Sequence, residues 1–152
     1  MIQRIQHIFM LLSAVATGIL IFKPLAFIEV VGGGSGLMYA DAIKSAGAGE
    51  TILPCIPLLF LISLITTISL VSISLYKKRL LQIRLTVYNM ILMVGLFVIG
   101  YFYARQGAKE ISGDIQATFY TIMPVVAFIL SLLAWRGVRR DYLMLKAVDR
   151  IR

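Results

Sequence analysis

The chain has little charge, one cysteine, one histidine and one tryptophan, and these shortages exclude several classes of protein. Only 14 % of its 152 residues are charged, whereas 60 % are hydrophobic; soluble domains average about 25 % and about 45–50 %. A soluble fold of this size cannot bury so much apolar surface, which excludes an ordinary globular enzyme, a disordered tail and a nucleic-acid-binding domain. The net charge of +8 is typical of the cytoplasmic rim of a membrane protein instead.

The single cysteine and the single histidine limit the chemistry that the chain can perform. Cys55 has no second thiol with which to form a disulfide inside the chain. His7 alone cannot supply both axial ligands of a haem. The sequence also lacks a His/Cys/Asp cluster and a nucleophile placed beside a base. It therefore predicts no catalytic residue, no metal site and no cofactor, and the chain is expected not to be an enzyme.

Long apolar runs dominate what is present. A membrane helix needs about 20 mainly apolar residues. Four segments meet this requirement and contain no Asp, Glu, Lys or Arg: 5–22, 52–76, 85–103 and 115–135. They predict an all-α fold, a four-helix bundle in a single membrane domain spanning 1–152. Pro124 is expected to kink the fourth helix.

The distribution of Lys and Arg predicts the orientation of these spans. With both termini in the cytoplasm, eleven of the 15 Lys and Arg residues lie inside and four lie outside. This arrangement satisfies the positive-inside rule at every loop. We therefore expect a multi-pass protein of a bacterial inner membrane, with the loop 23–51 outside and the tail 136–152 in the cytoplasm.

The outer loop contains two short apolar runs on either side of a glycine-rich turn. Phe27 and Val30 lie in the first run, and Leu37 and Tyr39 in the second. Such a pattern is typical of a hairpin, and a hairpin alone is marginally stable. The sequence predicts a short antiparallel pair within residues 25–50 that rests on the ends of the helices.

Polar residues inside the spans allow two interpretations. Asn89 is expected to bond to a neighbouring helix. Ser63, Thr67 and Ser74 recur along one side of the second span. Small and hydroxylated faces favour close helix packing in a membrane, although the same stripe would also suit a hydrophilic pathway.

Two basic segments, the link after the second span and the tail, are candidates for contact with anionic lipid or a protein partner. Their basic residues are Lys77, Lys78, Arg79, Arg84, Arg136, Arg139, Arg140, Lys146, Arg150 and Arg152. In the tail, apolar residues recur every three or four positions, at Val138, Tyr142, Leu145, Val148 and Ile151. This spacing predicts an amphipathic helix whose apolar face is covered. We expect Asp141 or Asp149 to pair with an arginine of the link or with Arg4.

Three strings of the chain resemble a known family. They are the opening Met1-Ile2-Gln3-Arg4-Ile5-Gln6, the link Lys77-Lys78-Arg79-Leu80-Leu81-Gln82-Ile83-Arg84-Leu85 with Asn89 after it, and the ending Asp149-Arg150-Ile151-Arg152. Together they resemble an uncharacterised family of small four-span membrane proteins from Bacteroidota. The resemblance implies an inner-membrane location and implies no activity. Tyr142 stands where that family commonly has a second acid after its Arg/Lys-Asp pair.

Three functions fit these features. The first is a non-catalytic accessory, structural or assembly subunit of an inner-membrane complex, with membrane lipids and other membrane subunits as partners and no nucleic acid. The second is a small oligomeric transporter or channel, supported by the hydroxyl stripe. The third is a lipid- or quinone-binding membrane protein, for which a lateral pocket lined by His7 and Asn89 would be expected.

Overall fold

A computed structural model describes residues 2–30, 34–47, 49–75 and 78–149. It contains four helices: α1 Ile2–Ile19, α2 Ile56–Ser74, α3 Arg79–Glu110 and α4 Met123–Asp149. It also contains five strands: β1 Ala26–Val30, β2 Gly34–Met38, β3 Ala42–Ser45, β4 Thr51–Pro54 and β5 Gly113–Ala117. The fold is therefore mostly helical, but the expectation of an all-α protein is wrong because a sheet is present.

The helices form a bundle in which each packs against the next and α4 returns to α1. The chain runs up and down, so all five strands lie at one end, which we call the sheet end. The start of α1, the α2–α3 link and the end of α4 meet at the opposite end, which we call the basic end. Three stretches are long and apolar enough to cross a membrane: Ile56–Ser74, Arg79–Glu110 and Phe119–Met144. The apolar part of α1, His7–Ile19, is shorter.

The hairpin predicted in the outer loop exists and is one part of a larger sheet. Strands β1 and β2 pair antiparallel, from Ala26 opposite Met38 to Val30 opposite Gly34. The full sheet has the order β4-β3-β2-β1-β5, and every neighbouring pair is antiparallel. The residues of the glycine-rich turn, 31–33, lie outside the described part of the chain.

Two further strands of the sheet, β4 and β5, overlap segments that the sequence predicted as membrane-spanning helices. Thr51–Pro54 pairs with β3 as strand β4, so α2 begins at Ile56 rather than at residue 52. Gly113–Ala117 pairs with β1 as strand β5, and a short 3-10 turn follows before α4 begins at Met123. Pro124 is thus the second residue of α4. In a first turn it removes no helical hydrogen bond, and the expected source of a kink is absent.

Helix α3 is longer than the span 85–103 predicted from its apolar residues. Its 32 residues measure about 48 Å at 1.5 Å per residue, against about 30 Å for the hydrocarbon layer of a bilayer. The final turns extend under the sheet, where Gly107 faces Ile43. A Cβ atom at Gly107 would lie 2.2 Å from Cδ1 of Ile43, so the absence of a side chain lets the sheet approach the helix.

The core has two parts. The larger part joins the sheet to the helices through fully buried side chains such as Ile28, Ile43, Leu58 and Ile62. The smaller part lies at the basic end and consists of Met10, Ala134 and Val138, with Phe9, Ile73 and Ile83 against them. Since Val138 is buried there, the start of the tail packs on the bundle. The helix α4 continues through Gly137 to Asp149.

Candidate functional site

A cavity of about 280 Å³ lies where α3, the start of α4 and the sheet meet; we call it the sheet-end pocket. Helix α3 contributes Leu96, Phe97, Gly100, Tyr101 and Ala104 to its walls. The sheet and its flanks contribute Leu25, Ala26, Met38, Ile115 and Ala117, and the start of α4 contributes Thr121 and Pro124. The small side chains at Ala26, Gly100 and Ala104 leave the space that larger residues would fill.

The walls of the sheet-end pocket are almost entirely apolar. The hydroxyl of Thr121 donates a hydrogen bond to the carbonyl oxygen of Leu25, so its proton is used within the protein. Among the described residues that line the pocket, none is an acid, a base, a cysteine or a histidine. Ligand pockets in proteins have volumes of about 300–1,000 Å³, and this cavity, at about 280 Å³, lies just below that range. Its chemistry suits a hydrocarbon chain.

The sheet-end pocket is open at the surface of the bundle. Three residues on its rim, Phe97, Tyr101 and Ile115, have 38 %, 63 % and 40 % of their surface exposed. Phe97 and Tyr101 belong to α3, one of the helices able to cross a membrane. The pocket is therefore reached from the side of the bundle.

The sequence did not predict a pocket at this position. Its expected lateral pocket would have been lined by His7 and Asn89, and neither is among the described residues around the sheet-end pocket. The pocket exists because Gly113–Ala117 forms a strand beside β1 instead of extending the fourth helix. Gly113 and Asp114, which are poor helix formers, were the signal that could have indicated it.

The helices are joined in the interior by hydroxyl and amide groups, which we call the polar layer: Ser13, Thr17, Thr66, Ser69, Asn89 and Ser131. The hydroxyls of Ser13 and Ser131 lie 2.8 Å apart and join α1 to α4. Thr66 donates to the hydroxyl of Thr17 at 3.1 Å and joins α2 to α1. Asn89 Nδ2 donates to Ser69 Oγ at 2.7 Å and joins α3 to α2. The polar layer thus connects all four helices.

The hydroxyl stripe of the second span, Ser63, Thr67 and Ser74, is not part of the polar layer. Ser63 donates to the carbonyl of Phe60 at 2.8 Å, and Thr67 donates to that of Ser63 at 2.8 Å. Thr67 and Ser74 are exposed, and Ser63 is half-buried. The residues that face the neighbouring helices are Thr66 and Ser69, which stand beside the stripe in sequence.

The basic end presents exposed cations. Lys78, Arg84, Arg136, Arg139, Arg140 and Lys146 are exposed, and Arg79 is half-buried. The Arg139 guanidinium lies 5.1 Å from the centre of the Trp135 ring, and the apolar residues Leu143 and Met144 are exposed beside it. Lys77, Arg150 and Arg152 lie outside the described residues, as do the side chains of Arg4 and Asp149. The pairing expected for Asp141 or Asp149 stays a prediction.

Nothing in the described ranges forms a group of three or more His, Cys, Asp or Glu side chains able to hold a metal ion. The fold and the pocket define a small helical protein with a sheet cap, in which three helices can cross a membrane. The chain belongs to a family of unknown function, DUF4293, whose profile matches residues 2–151. A search of curated proteins finds no match to the chain.

Proposed function

We propose that this chain is a non-catalytic protein of a bacterial inner membrane that holds the hydrocarbon chain of a membrane lipid in its sheet-end pocket. The observation that carries the proposal is the pocket itself, an apolar cavity of about 280 Å³ with an opening beside Phe97 and Tyr101. A lipid chain is the apolar molecule that a membrane supplies in greatest amount at such an opening.

The positive-inside rule supports an orientation for this pocket. The segments that meet at the basic end carry eleven of the 15 Lys and Arg residues, so this end is proposed to face the cytoplasm. The sheet end then faces outward. The pocket would lie at the level where α3 leaves the hydrocarbon layer, and the exposed Tyr101 at its rim suits that boundary because tyrosine is enriched there.

The test uses a phospholipid that carries a photoactivatable diazirine on its acyl chain, in vesicles of phosphatidylethanolamine and phosphatidylglycerol. After illumination, we expect mass spectrometry to find crosslinks concentrated in the α3 segment 96–104. The variant Ala117→Trp adds a bulky side chain to the pocket wall from an exposed strand position and should remove these crosslinks.

Gln116→Trp is the matched control for this variant. Successive residues of a strand point to opposite faces of the sheet, and Gln116 instead hydrogen-bonds Glu29 on the exposed side. This control should crosslink as the wild type does. Crosslinks spread evenly along α3 and unchanged by Ala117→Trp would contradict the proposal.

A second candidate function is an accessory subunit of an inner-membrane complex. It is favoured by the exposed apolar pair Leu143 and Met144, which lies beside Arg139 and Arg140 at the end of α4. In native gels of solubilised membranes, a stoichiometric complex larger than the single chain should be lost with Leu143→Ser. It should survive with Ile122→Ser, which changes an equally exposed residue at the sheet end. Migration as a single chain throughout would contradict this candidate.

The transporter or channel predicted from the hydroxyl stripe stays a prediction. The hydroxyls of Ser63 and Thr67 in this stripe donate to carbonyls of their own helix, whereas those of Ser13, Thr66 and Ser131 take part in hydrogen bonds between helices.

A further inference from the structure

Two polar oxygen atoms in the interior of the bundle have no hydrogen-bond partner in the described part of the protein. They are Oδ1 of Asn89 and Oγ of Ser72, and the two residues are 3 % and 2 % exposed. Buried polar groups are nearly always hydrogen-bonded, to protein or to ordered water. The need is greater within a membrane, since the surrounding hydrocarbon offers no partner.

A second observation lies beside these atoms. A small space of about 10 Å³ lies beside them, and its walls are formed by Met10, Ser13, Ser69, Ser72, Thr86, Asn89 and Ser131. A cavity holds one water molecule when its volume is at least about 10–15 Å³ and it offers two to four polar partners. The space therefore has the size and the lining that one water needs.

The neighbouring polar groups are already engaged with the protein. Thr86 donates to the carbonyl of Gln82 at 2.8 Å, the Ser13 and Ser131 hydroxyls bond to each other, and Ser69 accepts from Asn89. Asn89 Oδ1 can only accept a hydrogen bond, whereas a serine hydroxyl can both donate and accept. One water can donate to Asn89 and exchange a hydrogen bond with Ser72 at the same time.

We infer that a single water molecule occupies this space and joins Asn89 of α3 to Ser72 of α2. A sodium ion is the other occupant of similar size. The four apolar spans contain no carboxylate to balance such a charge, and an unpaired ion in a low-dielectric interior carries a large desolvation penalty. A neutral water satisfies both oxygens without that penalty.

The experiment is synchrotron hydroxyl-radical footprinting of the full chain in lipid nanodiscs, because the radicals form at bound water and oxidise the side chains beside it. Met10 is the reporter, because it lines the space and is buried, at 3 % exposure. We expect its oxidation to be several-fold faster in the wild type than in the variant Ser72→Val. Equal rates in the two chains would overturn the inference.

A variant links the signal to the proposed partners. Ser72→Val removes the hydroxyl and puts two methyl groups in its place, so the variant loses one polar partner of the water and fills part of the space, and the Met10 rate should fall several-fold. Ser63→Val, in which the lost hydroxyl bonds only its own helix, should leave the rate unchanged. A Met10 rate that persists in Ser72→Val overturns the assignment. So does a rate that changes when choline chloride replaces sodium chloride, because that result identifies a cation.

Discussion

At the sheet end, the helices meet under a five-stranded sheet and around an apolar pocket. In the interior of the bundle, they meet through the hydroxyl and amide side chains of the polar layer, such as Ser69, Asn89 and Ser131. Burial of apolar surface gives little drive for association between helices in lipid, because lipid tails are equally apolar. The comparison gives two different solutions to this problem, backbone pairing at the sheet end and side-chain hydrogen bonds in the interior of the bundle.

The difference also separates the functions proposed for the two ends. Where α3 meets the sheet, its residues are small, as at Gly100 and Ala104, and this leaves space for an apolar molecule. The basic end is filled by a small apolar cluster around Met10, Ala134 and Val138 and is surrounded by exposed cations. It therefore suits a fixed position in the membrane better than a large ligand.

The largest expected effect is at the sheet end, where Gly113 pairs with Val30. A Cβ atom at Gly113 would lie 2.6 Å from the carbonyl oxygen of Glu29 and 3.0 Å from Cγ2 of Ile28. Since the first of these is backbone, Gly113→Ala should separate β5 from β1 and destabilise the fold by about 1–3 kcal/mol. Thermal unfolding in detergent measures this. Gly95→Ala, with nothing within 4 Å, is the control for added volume and should leave the stability unchanged or raise it slightly, because alanine favours a helix. Equal stabilities of the two variants would contradict the close approach of β5 to β1 at Gly113.

The next effect concerns the cations of the basic end. Arg139 and Arg140 are exposed there, and Arg105 and Lys109 are exposed at the sheet end. A basic residue near an anionic surface contributes about 1 kcal/mol. The double variant Arg139→Gln/Arg140→Gln should therefore lose about 2 kcal/mol of the extra stability that phosphatidylglycerol nanodiscs give over phosphatidylcholine nanodiscs. Since both leaflets of these nanodiscs are anionic, the same substitutions at Arg105 and Lys109 measure this contribution at the sheet end. An unchanged difference in the Arg139/Arg140 variant would contradict contact of these two arginines with the headgroups.

A smaller effect is expected from the contact between Asn89 and Ser69. Hydrogen bonds between membrane helices contribute about 0.6 kcal/mol on average and up to about 2 kcal/mol. Asn89→Leu should destabilise the bundle by about that amount, and Ser69→Ala should add little once Asn89 is replaced. A double-mutant cycle measures this coupling. Thr67→Val, an exposed hydroxyl that bonds its own helix, is the control; fully additive effects of the first pair would contradict the contact.

The smallest effect is at the ion pair on the sheet surface. Lys44 Nζ lies 2.9 Å from Asp41 Oδ2, and this hydrogen bond lowers the pKa of Asp41 from its ordinary value of 3.8. A lowered carboxyl pKa stabilises the fold at neutral pH, and this contribution is lost as the pH falls below 3.8 towards the folded-state pKa. Both side chains are exposed, so Asp41→Asn should cost less than about 1 kcal/mol. The free energies of unfolding of the wild type and of Asp41→Asn should be measured at pH 7 and at pH 3. The difference between them should be smaller at pH 3.

The sequence predicted the apolar helices well and the sheet poorly, for a physical reason. Long runs without charge, as in 56–74 and 85–103, have few alternatives to a helix that spans a membrane. Short apolar runs such as Thr51–Pro54 and Gly113–Ala117 adjoin those helices and are indistinguishable from them by hydropathy alone. Only pairing with β3 and β1 makes them strands.

The candidate site was harder to predict because it depends on contacts between distant residues. The sequence indicated that Asn89 would bond to another helix, and spacing could not identify Ser69 as the partner. The match over residues 2–151 confirms that the chain belongs to an uncharacterised family. The four-span membrane nature of that family, its Bacteroidota source and the inner-membrane location stay predictions. The sheet-end pocket depends on the packing of Gly107 under Ile43, which brings the sheet onto α3. Two residues so far apart in the sequence could not be paired from the sequence alone.

Native mass spectrometry of the chain released from lipid nanodiscs tests the central claim most directly. If the sheet-end pocket holds a lipid chain, the wild type and Gln116→Trp should each retain one phospholipid that resists collisional removal. Ala117→Trp, which fills the pocket wall, should lose it. Retention of the same lipid by all three chains, or by none of them, would contradict the account.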